Sequence, residues 1–353
     1  MKGYYLTIGF FEMDWLLKDI AKSVVKGISV EFLLNRAGTK SQQHDYKGAI
    51  EDCNQILSIN PNNADAYCLR GLILANLRQD QSAIQDYTQA LRINPNLSAA
   101  YFNRGISRTE IRDYQGAIED YNQSININPN TAFIYSKRGL SFLSMGNYKN
   151  AIQDFQQALL LEPKLPSAYY GKALFYLHTK IYSEAIVNFN LAIELYPNYI
   201  DAFCNRGLAY GAMGNYVLAI EDFNRTLQLN PNYYGAYYGT GVVKMYQNQF
   251  KEAIIKFNKC IEINPLHVSS YFYRGYIYEL GSYYNKALEN YSAAIKIDAF
   301  HKEAHEKQGF IRIKIGDLEG GIQDLKLAAN ISLKQGNVDD YQRILNNIKE
   351  LEI

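Results

Sequence analysis

The pattern of small, aromatic and polar positions along this chain returns every 34 residues. An alanine column runs through Ala49, Ala83, Ala117, Ala151, Ala185, Ala219, Ala253 and Ala287. A glycine column runs through Gly71, Gly105, Gly139, Gly207, Gly241, Gly275 and Gly309. One aromatic column holds Tyr67, Tyr101, Tyr135, Tyr169, Phe203, Tyr237 and Tyr271, and a second holds Tyr87, Tyr121, Phe155, Phe189, Phe223, Phe257 and Tyr291. Seven prolines, from Pro61 to Pro265, close successive periods. Each lacks an amide hydrogen and pushes the residue before it out of the α region, so each marks a helix end at the same phase.

Numbering that proline as position 32 gives nine helix-turn-helix repeats spanning 30–63, 64–97, 98–131, 132–165, 166–199, 200–233, 234–267, 268–301 and 302–335. A glycine inside a helix costs roughly 1 kcal/mol relative to alanine, so a glycine column answers a geometric need. The pattern predicts that position 8 of the first helix faces the small residue at position 20 of the second, with the aromatic columns at positions 4 and 24 filling the flanks. Arginine at position 7 (Arg36, Arg70, Arg104, Arg138, Arg206) accompanies aspartate at position 23 (Asp52, Asp86, Asp120, Asp154, Asp222), which predicts a bridge between the two helices of a repeat. Arg274 meets Asn290 instead.

The two ends differ from the array. In the segment 1–29, Trp15, Leu16, Ile20, Val24 and Ile28 recur at helical spacing among Lys18, Asp19, Lys22 and Lys26, predicting an amphipathic capping helix, with a membrane-surface helix as the alternative. In 336–353, Tyr341, Ile344, Leu345, Ile348 and Leu351 share one face and predict a C-terminal cap.

These columns resemble the tetratricopeptide repeat family at nearly every slot from 30 to 335. Two departures are tyrosine at position 4, where the family often has tryptophan, and arginine at position 7, where it often has leucine. The resemblance implies an all-α, right-handed αα superhelix whose concave face is lined by the first helices. The runs A-I-E-D-Y-N-Q and I-N-P-N resemble the long arrays common in cyanobacteria, which implies a cytoplasmic protein. The family's carboxylate clamp for acidic chaperone tails is not matched: Cys68 and Leu72 stand where it needs lysine and asparagine, and Phe133 where it needs a basic residue.

Charge and chemistry narrow the function further. The 36 basic and 35 acidic residues leave a formal charge of +1, with no electrostatic case for nucleic acid. Four cysteines form no C-x-x-C pair, which suits a reducing compartment, and no run approaches the ~20 apolar residues that span a bilayer. Met1 to Phe11 lacks a signal-peptide pattern. His301 and His305 share a helical face, but Lys302 stands where a metalloprotease motif requires glutamate. No P-loop and no catalytic cluster occur, so no cofactor, metal or reaction is expected.

The expectation is a non-enzymatic scaffold or adaptor that binds a peptide segment or partner helix in its groove. The alternatives are an assembly factor for a membrane complex of the photosynthetic kind and a peptide-sensing regulator. Positions 5, 9 and 12 of the first helices form one stripe. With adjoining positions it gives Phe102, Asn103, Lys137, Tyr170, Tyr238, Tyr246, Phe272, Tyr273 and Tyr276 as candidate partner-binding residues.

Overall fold

The computed structural model describes residues 28–351, and every regular element among them is an α-helix. In chain order these are α1 (Ile28–Gln42), α2 (Tyr46–Ile59), α3 (Ala64–Asn76), α4 (Asp80–Ile93), α5 (Ser98–Glu110), α6 (Tyr114–Ile127), α7 (Ala132–Ser144), α8 (Tyr148–Leu161), α9 (Pro166–His178) and α10 (Tyr182–Leu195). They continue as α11 (Ile200–Ala212), α12 (Tyr216–Leu229), α13 (Tyr234–Tyr246), α14 (Phe250–Ile263), α15 (Val268–Leu280), α16 (Tyr284–Ile297), α17 (Lys302–Lys314), α18 (Leu318–Lys334) and α19 (Val338–Leu351). Odd-numbered helices up to α17 each pack against the helix that follows, and α19 packs on α18. The chain divides into two compact units, Met1–Tyr199 and Ile200–Ile353. Apart from Ile28, the first residue of α1, the predicted N-terminal helix lies outside the described residues.

Side chains set the helix boundaries. Before α2, α6 and α18, Asp45, Asp113 and Asp317 each accept the amide hydrogen three residues on, at Gly48, Gly116 and Gly320. This satisfies one of the orphan donors of a helix start. At the other end of the second helices, the Oδ1 atoms of Asn60, Asn94, Asn230 and Asn264 accept from the amide two residues ahead, across the proline, at 3.0–3.2 Å. Asp298 makes the same bond to the Phe300 amide at 2.9 Å although Ala299 replaces the proline there. The asparagine turn therefore holds without the ring.

The turn inside each repeat needs a left-handed residue. Glycine supplies it at Gly146 (φ 73°), Gly214 (φ 78°) and Gly316 (φ 97°). At the same phase His44, Arg78, Arg112, Lys180, Asn248 and Ser282 adopt φ of 59–64° despite their Cβ atoms.

The predicted approach of positions 8 and 20 is present, with a Cβ on Gly207 falling 3.2 Å from the Ala219 carbonyl oxygen, and the ring at position 24 closes on the glycine as well. The ring at position 24 lies on the position-8 glycine: an added Cβ would stand 2.9 Å from the Tyr87 ring at Gly71, 2.7 Å from Tyr121 at Gly105 and 2.8 Å from Phe223 at Gly207. In the ninth repeat Leu325 takes the aromatic slot and the backbones approach instead, with a Cβ on Gly309 falling 2.8 Å from the Gly321 carbonyl oxygen. At these glycines a flat ring edge fills the space that a Cβ would occupy.

Candidate partner-binding face

The predicted bridges are present and two-pronged. Arg104 donates to both Asp120 oxygens at 2.9 and 2.6 Å, and Arg138 to both Asp154 oxygens at 2.8 and 2.7 Å. Arg206 and Asp222 repeat the geometry at 2.8 and 2.6 Å. Burial pushes the Asp120, Asp154 and Asp222 carboxyls upward, and the arginine hydrogen bond opposes it. In the eighth repeat Arg274 donates to the single oxygen of Asn290 at 2.7 Å, and burial lowers its pKa because no carboxylate compensates.

Sequence reading missed the other half of this network. The same guanidinium also reaches position 25 of the preceding repeat: Asn54 for Arg70, Thr88 for Arg104, Asn122 for Arg138 and Asn258 for Arg274, at 2.6–3.0 Å. Each of these arginines thus ties its own helix pair to the one before. The column is legible only as oxygen-bearing side chains, since the residue type varies.

The position-4 tyrosines are half-buried surface struts. Arginine lies over the rings of Tyr67, Tyr101, Tyr135 and Tyr271 at 5.4–5.6 Å. The hydroxyls of Tyr135, Tyr169 and Tyr237 donate to the carbonyls of Pro129, Pro163 and Pro231 at 3.1–3.2 Å.

At position 24, two of the three tyrosines find a polar group at position 12. Tyr121 meets the Thr109 hydroxyl at 3.3 Å and Tyr291 donates to Glu279 at 2.6 Å. Phe155, Phe189, Phe223 and Phe257 belong to repeats with Leu143, Leu177, Gly211 and Met245 there. Tyr87 belongs to a repeat with Ala75 and its buried hydroxyl has no partner.

The nine candidate residues fall into three groups. In the first unit, Phe102 is 4 % exposed and packs its ring on Phe133 (5.5 Å) and Tyr121 (6.0 Å), so it is core. Asn103 is also buried, with its amide nitrogen unpartnered. Position 5 is buried in repeats one to four, and at Phe102 it is Phe133 of the next first helix that packs over the ring, which a helical stripe alone does not reveal. Lys137, over the Phe133 ring at 4.9 Å, and Tyr170, against Tyr199 at 4.8 Å, remain partly exposed.

In the second unit the candidates come together. Ring contacts run without a break from Tyr233 to Tyr234 (6.3 Å), His267 (5.4 Å), Tyr238 (4.7 Å), Tyr273 (6.2 Å), Phe272 (5.4 Å) and His301 (5.1 Å). Position 34 supplies the two histidines that pack on the position-5 rings, His267 tilted against Tyr238 and His301 stacked on Phe272, a role the sequence did not disclose. Burial raises the Tyr238 and Tyr273 hydroxyls and lowers the His267 imidazole, so all three stay neutral near pH 7. Tyr276 carries Lys307 over its ring at 5.1 Å, and that lysine is paired with Glu279 at 3.1 Å. Tyr246 is 60 % exposed and stacks on Tyr216 at 6.4 Å, apart from the ring series. Beside the two histidines, Leu266 and Phe300 stand 72 % and 64 % exposed at the position that carries asparagine in most earlier repeats.

Comparison with known proteins places the fold. Models described as tetratricopeptide repeat match residues 64–97, 132–165 and 200–233, and 234–265; one described as TPR repeat matches 112–146 and 181–214. A tetratricopeptide repeat protein from Parabacteroides merdae is similar at 26 % identity and a TM-score of 0.57, over 67 % of this chain and 94 % of that one. The Cut9–Hcn1 hetero-tetramer of the APC/C aligns at 16 % identity and a TM-score of 0.64, over 94 % of this chain and 67 % of that one, a likeness of fold. No curated protein matches the sequence. Among the described residues no helix is long and apolar enough to cross a membrane. The chain is a tetratricopeptide repeat protein, an all-α array of helix pairs of the kind that serves as a protein–protein interaction scaffold.

Proposed function

We propose that the aromatic face of repeats seven and eight holds an apolar segment of a partner protein. The observation that carries this reading is the unbroken ring series from Tyr233 to His301, flanked by exposed Leu266 and Phe300. Rigid aromatic rings offer contact area at low cost in side-chain entropy. The chemistry favours an apolar or aromatic occupant over an acidic tail, because Lys307 is already paired with Glu279 and the ring series presents mainly aromatic faces. A hydrophobic helix face or an extended apolar strand suits such a surface. The chain then gathers proteins into an assembly and leaves them chemically unchanged.

The test is affinity capture from an extract of the source organism with the wild type and with a Leu266→Asn, Phe300→Asn, Tyr276→Ala variant. These side chains lie at the edge of the core, so the helical circular dichroism and unfolding midpoint should stay close to wild type. A protein held by the wild type and released by the folded variant supports the reading. Equal retention by both moves the binding surface elsewhere.

A further inference from the structure

The start of α4 in repeat two departs from a column that the rest of the array keeps. Position 17 is an aromatic ring in seven of the nine repeats, from Tyr46 to Tyr284, and Leu318 in the ninth. That ring reaches the first helix of the next repeat: Tyr148 meets Phe175 at 6.2 Å, Tyr216 stacks on Tyr246 at 6.4 Å, and Lys314 lies over Tyr284 at 4.9 Å. In repeat two the position is Asp80, partly buried beside the Ser107 hydroxyl and near enough to Glu110 to feel its charge. Arg78 pairs with Glu110 at 3.2 Å.

A second change lies beside the first. In repeat three the Thr109 hydroxyl stands 3.3 Å from Tyr121 and 3.3 Å from Ser141 of the next repeat. The same three positions in repeat two and its successor are Ala75, Tyr87 and Ser107, so a methyl replaces the hydroxyl that links the other two. Ala75 packs on the cluster that contains Tyr87. Tyr87 and Ser107 are fully buried, and neither hydroxyl makes a well-formed hydrogen bond. Burial, with Asp80 among the nearby charges, holds the Tyr87 phenol well above its usual range, so its oxygen is a neutral acceptor. Buried hydroxyls are costly to leave unpaired, and two of them beside a carboxylate point to a donor brought from outside.

We propose that this notch takes the ammonium group of a lysine side chain from a partner protein. An ammonium carries three donors on one atom, which matches the Asp80 carboxylate, Tyr87 Oη and Ser107 Oγ. A guanidinium spreads its donors over a flat fork and suits three converging acceptors less well. The carboxylates of Asp80 and Glu110 outnumber the single guanidinium of Arg78, so a cation is favoured. Among the described residues no group of three or more histidine, cysteine or acidic side chains could hold a metal ion, which leaves an organic cation as the match. The alkyl stem of the lysine supplies the apolar contact that the ring supplies in other repeats. This site belongs to the first unit and makes no use of the aromatic face of repeats seven and eight.

The Ala75 methyl lies against Tyr87 and reports on the notch directly. In protein labelled with 13C at the alanine methyls, N-acetyl-lysine-N-methylamide added at constant ionic strength should shift the Ala75 signal saturably and leave Ala253 unmoved. The Nε-acetylated compound and the arginine analogue should do so far more weakly. Asp80→Asn keeps the shape, removes the charge, and should weaken binding about tenfold, the value of a hydrogen bond to a charged group. Asp80→Tyr restores the aromatic column and should abolish the shift; Asp80→Asn carries the test if the ring variant fails to fold. The proposal is overturned if the wild-type Ala75 signal shows no saturable shift, if the acetylated or arginine compound is equally effective, or if Asp80→Asn binds as the wild type does.

Discussion

Repeats three and eight share a backbone plan and use it in opposite directions. In repeat three, polar groups are consumed within the scaffold: Asp120 accepts from Arg104 and Arg108, and Thr109 links Tyr121 to Ser141 of the next repeat. Its position-5 ring, Phe102, is buried. In repeat eight, Asn290 replaces the aspartate, Phe272 is stacked on His301 at a partly exposed site, and Phe300 stands in solvent. The difference teaches that the architecture resides in the glycine and ring columns common to both. What changes between them is which face carries surplus apolar surface.

Introducing bulk into the shared column should break both repeats alike, and this is the largest expected effect. Gly105→Leu and Gly275→Leu each drive a side chain into a ring whose nearest atom lies 2.7 or 2.9 Å from the Cβ position. Each should lose about 3 kcal/mol or more in denaturant unfolding. A loss at one site and tolerance at the other would mean the columns are not equivalent.

Next, Asp120→Ala should cost about 3 kcal/mol, because it strands two guanidinium groups at a buried site. Asn290→Ala should cost less, about 2 kcal/mol, the value of one hydrogen bond to a charged group. Asn290→Asp sharpens the contrast. It gives Arg274 the carboxylate that the other arginines have and should stabilise the protein by about 1 kcal/mol, despite losing the bond from Asn290 to the Lys286 carbonyl. An unchanged denaturation midpoint would show that the second prong contributes nothing.

The smallest effect concerns pH, in the ninth repeat. There His305 takes the position-4 slot, with Nε2 donating to the Ala299 carbonyl at 3.1 Å and Nδ1 lying 3.7 Å from Asp324. Asp324 raises the imidazole pKa against the effect of burial. A folded-state value above the unfolded one means that the contribution is complete below the unfolded imidazole pKa of about 6.5 and is lost as pH rises through the folded value. Thermal midpoints recorded from acid to alkaline conditions should therefore fall across this window in the wild type and less so in His305→Phe. The arginine repeats remain charged throughout and show no such step.

Much of the helix plan was legible because its signals are residue identities at constant phase, such as the prolines, Gly105 and Tyr121. The bridge between Arg104 and Asp120 was legible for the same reason, since the two types change together. The inter-repeat bond to Thr88 or Asn122 was not, because that column shares a hydrogen-bonding oxygen and no single residue type. Nor could periodicity separate Phe102 from Phe272. A helix in a stacked array packs on more than one side, so a stripe that reads as exposed on one helix is interior wherever the next helix lies over it. The packing of His267 against Tyr238 and of His301 on Phe272 joins residues from a loop and a helix and needed coordinates to be seen.

The claim that repeats seven and eight carry the binding face is tested most directly by photocrosslinking. A photoreactive phenylalanine analogue is placed at Tyr276 in one protein and at Lys137 in another, and both are irradiated in extract of the source organism. The account predicts a discrete adduct from position 276 that excess unlabelled wild type suppresses, with little or none from position 137. A suppressible adduct from position 137 alone, or equal adducts from both, would contradict it.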